Sequence, residues 1–110
     1  MIGPLPHEGG REYTARYMEA TFRPGMRTAV HVHSGVEAWY LFEGGQCLET
    51  PEGITVMHAG ESSMVRAGPP MILNHMGTEI RRSVLLVLHD SPQPWITRTS
   101  TWTPRGLCPG

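Results

Sequence analysis

Short extended segments alternate with glycine and proline punctuation along the chain, and no stretch carries a convincing helical period. Glu12 to Phe22 has the tyrosine, threonine and aromatic content of a strand and stops at the turn signal Arg23-Pro24-Gly25. Met26 to His33 predicts a second extended segment. Val36 to Phe42 predicts a third, ending at the hairpin-type turn Glu43-Gly44-Gly45. Gln46 to Glu49 and Ile54 to Met57 flank the tight turn Thr50-Pro51-Glu52-Gly53. Ser62 to Arg66 leads into Ala67-Gly68-Pro69-Pro70, and Met71 to Met76 runs on to Gly77-Thr78. Arg81 to His89 is the strongest strand signal. Its run Val84 to Leu88 is apolar throughout, which predicts a strand covered on both faces. Eight or so short strands joined by such turns predict an all-β, antiparallel sandwich or barrel. Residues 91–110 carry four prolines and little periodicity, and read as an extended C-terminal arm anchored at its start by Trp95 and Ile96.

Composition narrows the function classes. At 110 residues the chain reads as one domain, large enough to bury a core without staples. Cys47 and Cys108 are far apart and belong to no dense cysteine pattern, so they are expected to be reduced thiols in a cytoplasmic protein. Met1 to Gly10 lacks the basic start and apolar stretch of a secretory signal, and no apolar run approaches a membrane span. Net charge is −1 and the nine basic residues are scattered, which gives no nucleic-acid footprint. The chain has no lysine, which excludes Schiff-base and P-loop chemistry. Asp90 is the only aspartate, and no nucleophile-elbow pattern occurs.

The candidate chemistry lies between Gly25 and Gly44. His31 and His33 are two apart, so on a strand they project from the same face. Glu37 follows across the short turn Ser34-Gly35, which can fold its carboxylate back beside the two imidazoles. Two histidines and a carboxylate form a three-donor set that suits a transition metal and leaves coordination positions open. Spacing alone favours a plainer reading, since histidine pairs on strands commonly line polar faces. The flanking glycines change the balance. Gly25, His31, His33, Glu37 and Gly44 satisfy every position of the first cupin motif: Gly, five residues, His-x-His, three or four residues, Glu, six residues, Gly.

From about Arg11 to Asp90 the chain therefore resembles a small, single-domain cupin. That resemblance implies an antiparallel jelly-roll β-barrel with one divalent transition metal (iron, zinc, manganese, nickel or copper) held inside by His31, His33 and Glu37. It also implies a small-molecule ligand or substrate and a homodimer. The second cupin motif departs from the pattern. Aligning Gly60 and Gly68 puts Arg66 at its proline position, Met71 at its histidine position and His75 at its asparagine position. Three outcomes stay open: a three-ligand site with Met71 as an apolar wall or weak thioether ligand, a site rescued by His75, or a degenerate site. A four-residue shift along a strand is roughly 13 Å, which argues against His75 as a ligand.

Strand alternation from Glu37 sends Trp39 and Leu41 inward and Tyr40 and Phe42 outward. The predicted pocket is Trp39, Leu41, Met71, Leu73 and His75. Met57, Met64, Met71 and Met76 read as core filler, His58 as exposed, Arg66 as a rim or surface cation, and Cys47 as a candidate for the inner face. Two functions are expected: a metal-dependent enzyme acting on a small organic molecule, of oxygenase, isomerase or lyase type, or a non-catalytic ligand-binding or sensing barrel. An enzyme should keep a titratable group beside the open coordination positions. The candidates are His75, His89 and Cys47.

Overall fold

A computed structural model describes residues 12–109, and they form nine strands with no helix among them. The reading of Met1 to Gly10 lies outside the described residues. The strands are β1 (Tyr13–Phe22), β2 (His31–His33), β3 (Gly35–Glu43), β4 (Gly45–Thr50), β5 (Gly53–His58), β6 (Ser62–Val65), β7 (Ile72–Met76), β8 (Arg81–Asp90) and β9 (Ile96–Arg98). They make a four-stranded sheet in the order β1-β8-β3-β6, a three-stranded sheet β5-β4-β7 and the short pair β2-β9. Every pairing is antiparallel. The all-β, antiparallel expectation holds.

Inward residues of the two larger sheets meet in one core: Trp39 and Leu41 from β3, Leu85 and Val87 from β8, and Leu48, Met57 and Leu73 opposite them, with Met71 just ahead of β7. The turns follow the glycines. Gly25, Gly44, Gly53, Gly60, Gly68 and Gly77 all take positive φ, where an L side chain is strained. Gly44 is the most constrained of them, because a side chain there would also strike the Ile80 and Arg81 backbone.

Two expectations change in shape. Met26 to His33 is extended, but only its last three residues form a ladder strand. The stretch before it is held by isolated bonds, Thr28 N–H to the Leu73 carbonyl at 2.9 Å and His75 N–H to the Met26 carbonyl at 2.8 Å. The apolar run on β8 is not equally covered on its two faces. Leu85 and Val87 are buried in the core, whereas Val84, Leu86 and Leu88 are half-buried on the outer face.

The C-terminal stretch is more than an arm. Ile96–Arg98 pairs with His31–His33 and so gives the histidine strand its ladder partner. The chain then straps over the outer face of the three-stranded sheet. There the buried Glu49 carboxylate accepts bonds from Arg105 N–H at 2.7 Å and Leu107 N–H at 3.1 Å. The strap ends in a disulfide between Cys47 and Cys108. This corrects the reading of two reduced thiols, and with it the argument for a cytoplasmic setting. Cys47 alternates to the outer face of β4, beside Asn74 and Val56, and is buried only because the strap covers it. A partner 61 residues away leaves no local trace in the sequence. Among the described residues no helix is long and apolar enough to cross a membrane.

Candidate functional site

The site is built where β2 runs into β3 across Ser34 alone. Gly35 lies against the Leu88–His89 backbone of β8, with no room for a Cβ. That contact seats β3 deep in its sheet and brings Glu37, buried opposite Val87 and Val65, back toward the β2 histidines. His31 and His33 are both buried, on one face of β2.

His33 Nε2 and Glu37 Oε2 approach to 2.7 Å, yet neither makes a hydrogen bond in a usable direction, and His33 Nδ1 has no partner either. Buried polar atoms are nearly always bonded, and an unbonded one costs about 1–3 kcal/mol. The two atoms form an ion pair when His33 is protonated; when it is neutral at Nε2, both lone pairs are open to a shared third atom. The Trp95 ring lies roughly parallel to that of His33, at an interplanar angle of 25° with ring centroids 6.4 Å apart.

His31 Nδ1–H donates to the Ala29 carbonyl at 2.7 Å, which leaves Nε2 as the ring's acceptor nitrogen. Burial lowers the pKa of His31, which keeps the ring neutral; the Ala29 bond opposes this, the nearby His33 adds to it, and Glu37 opposes it. Its ring stands edge-on to His33 with centroids 4.9 Å apart, beside the His33–Glu37 pair rather than within it. Among the described residues no three His, Cys, Asp or Glu side chains converge tightly enough to enclose an ion.

Met71 bridges His31 directly, through Met71 N–H to His31 carbonyl at 2.9 Å and the reciprocal bond at 3.0 Å. Its side chain is buried against the site. A cavity of about 180 Å³ opens from there, with His31 and Glu37 on its wall beside Trp39, Met71 and Leu73. Leu41 packs in the core behind it. His75 lies outside the cavity, where its Nε2–H donates to the Glu79 carbonyl and pins the turn into β8.

The other candidate titratable groups are also committed elsewhere. His89 donates from Nδ1 to the Gln93 and Asp90 carbonyls and accepts at Nε2 from Arg16 Nε, so both its nitrogens are used. Cys47 is in the disulfide. His58 is exposed beside Glu61, and Arg66 is exposed, 3.8 Å from Glu52. Of the methionines, Met57 and Met71 fill the core, Met76 is half-buried and Met64 is exposed.

Sequence reasoning missed Arg81. It is fully buried at the start of β8, on the inner face and on the cavity wall. Its Nη1 donates to Gln46 Oε1 at 2.9 Å and Ser83 Oγ at 2.7 Å, and the guanidinium carbon sits 4.0 Å over the Phe22 ring. Burial depresses its pKa to about 10, against a smaller upward pull from Glu37. The one sequence signal was the doublet Arg81-Arg82: adjacent residues on a strand face opposite ways, so one of the two must point into the barrel.

No family model matches the chain, and no curated protein matches it in sequence. Solved structures do match in fold. A cupin superfamily protein from Desulfitobacterium hafniense superposes with a TM-score of 0.63 at 13% identity, over 79% of this chain and 75% of its own. A double-stranded β-helix protein from Klebsiella pneumoniae gives 0.65 at 17% identity, over 86% of this chain and 91% of its own. A salicylate 1,2-dioxygenase from Pseudaminobacter salicylatoxidans gives 0.61 at 22% identity over 72% of this chain, which spans 22% of that much longer enzyme. This chain has the double-stranded β-helix fold of the cupin superfamily.

Proposed function

We propose that this chain is a metal-dependent cupin that acts on a small organic molecule, with one divalent transition metal ligated by His31, His33 and Glu37. The observation that carries the reading is the pair of orphaned atoms, His33 Nε2 and Glu37 Oε2, buried 2.7 Å apart without a hydrogen bond. His31, fixed in its ligating tautomer by Ala29, supplies the third donor. The donor types suit such an ion, which needs His31 to close on the His33–Glu37 pair, and Met71 stands as an apolar wall where the family pattern has a fourth ligand. When bound, a metal of this class supplies Lewis-acid chemistry or, for iron, oxygen chemistry. The protein's own contribution is to orient the His31 imidazole through Ala29 and to exclude water with Trp39, Met71 and Leu73.

A second reading, non-catalytic binding or sensing, is favoured by one observation: His75, His89 and Cys47 are all committed away from the cavity. Turnover of a bound compound by metal-loaded protein selects the enzyme, and binding without turnover selects the sensor.

Elemental analysis tests the metal itself. Purified protein should carry, or take up on dialysis, about one equivalent of transition metal per chain, and His33→Ala and Glu37→Gln should each lose most of it, since ligand loss weakens such sites steeply. Wild-type protein that stays metal-free after dialysis against each candidate ion would sink the reading.

A further inference from the structure

Arg81 is the feature of the cavity that a metal site does not use. Its guanidinium is fully buried, and among the described residues no carboxylate forms an ion pair with it. Its bonds to Gln46 and Ser83 are to neutral groups, and both leave from Nη1. Nε is buried with no partner at all. The Nε edge of a guanidinium is one of its flat, two-pronged faces, and its natural partner is a planar carboxylate held by two parallel bonds. Glu37, on the same wall, offsets part of this charge through space without touching it; a buried cation lacking a bonded anion is costly to a protein, and an anionic ligand that forms the bond repays that cost.

The remainder of the cavity limits what accompanies the anion. Apart from His31, Glu37, Thr28 and Arg81 its walls are apolar, made by residues such as Phe22, Trp39, Leu73, Leu85 and Trp95. Its volume is about 180 Å³, and an apolar cavity of about 150 Å³ is known to accept benzene. Glu19 also borders it, but alternation on β1 sends that side chain to the exposed face.

We propose that the cavity is a binding site for a small carboxylic acid with an apolar body about the size of one six-membered ring, its carboxylate paired with Arg81. This names the ligand class of the proposed small-molecule site and rests on that reading, but Arg81 can recognise the acid whether or not a metal is bound.

The test is calorimetric titration of the full chain, as purified and after chelator treatment, with benzoate and with its neutral isostere benzamide. Benzoate should bind at least about tenfold more tightly than benzamide, a charge-assisted fork against a neutral contact, and the preference should survive chelation. Arg81→Gln, checked for folding by circular dichroism, should abolish the preference, so that benzoate binds no more tightly than benzamide. Should that variant fail to fold, Arg81→Lys, which keeps the charge but loses the planar fork, should cut the preference. Equal binding of the two compounds, no benzoate binding, or inorganic phosphate binding as tightly as benzoate would overturn the proposal. Metal content measured on the same samples keeps the two readings apart. A benzoate preference in protein that takes up no metal removes only the metal, and metal-loaded protein without the preference removes only the acid.

Discussion

The Nδ1–H of His31 is engaged by the Ala29 carbonyl, so any proton it gains goes to the lone pair that would otherwise ligate. Burial holds its folded pKa below the ordinary 6.5, and an unfolded chain therefore binds that proton first. The stability tied to a neutral His31 is thus fully present above pH 6.5 and is lost as the pH falls from there through the lowered value. Urea unfolding of chelated protein should give a falling free energy between pH 7 and 5, and His31→Asn should flatten that slope. Identical slopes in the two proteins would remove His31 as its source. At this scale the proximity of His31, His33 and Glu37 was legible because their spacing is a geometric statement about one strand face and one turn. Arg81 was not. The apolar run from Val84 to Leu88 has no period-two phase, so the sequence alone could not say which of Arg81 and Arg82 faces inward. The phase comes from the pairing of β8 with β3, where the register shifts between Leu41 and Glu43.

Strand boundaries followed the turn chemistry closely, because glycine at positive φ is a local requirement that sequence records directly. Gly44 ends a strand in the structure where it ends one in the sequence. Gly35 is different, since its need for glycine comes from the backbone of β8, more than fifty residues later in the chain. Gly35→Ala should therefore force β3 away from β8, at a cost on the order of 1–3 kcal/mol for overpacking. A thermal melt would read this as a clear drop in midpoint, together with weakened metal uptake because Glu37 is two residues along the displaced strand. An unchanged melt would mean that the β3–β8 contact is looser than described. The strand β9 escaped the sequence for the opposite reason. Three residues, Ile96 to Arg98, are too short to show alternation, and only their pairing with β2 makes them a strand.

Across the whole molecule, the disulfide ties the C-terminal strap to the middle of the three-stranded sheet. A crosslink spanning 61 residues limits the unfolded chain by up to about 4 kcal/mol in the loop-entropy account. Reduction, or Cys108→Ser, should lower the urea midpoint markedly while leaving the proposed metal donors in place, because Cys47 lies on the outer face, away from them. Loss of metal on reduction would show instead that strap and site are coupled. Sequence reasoning had the barrel right and the closure of its last stretch wrong, since both the disulfide and the Glu49 bonds to Arg105 and Leu107 join distant parts of the chain. The pairing of β2 with β9 has a further consequence in time. Protein synthesis delivers His31 and His33 early and their ladder partner, Ile96 to Arg98, more than sixty residues later. A nascent chain that has emerged only as far as β8 has its histidines but neither the strand that pairs with them nor the Trp95 ring beside His33. Ordering of the histidine strand is thus deferred until Ile96 to Arg98 has been made, and a chain that stops short of it presents His31 and His33 without their ladder partner.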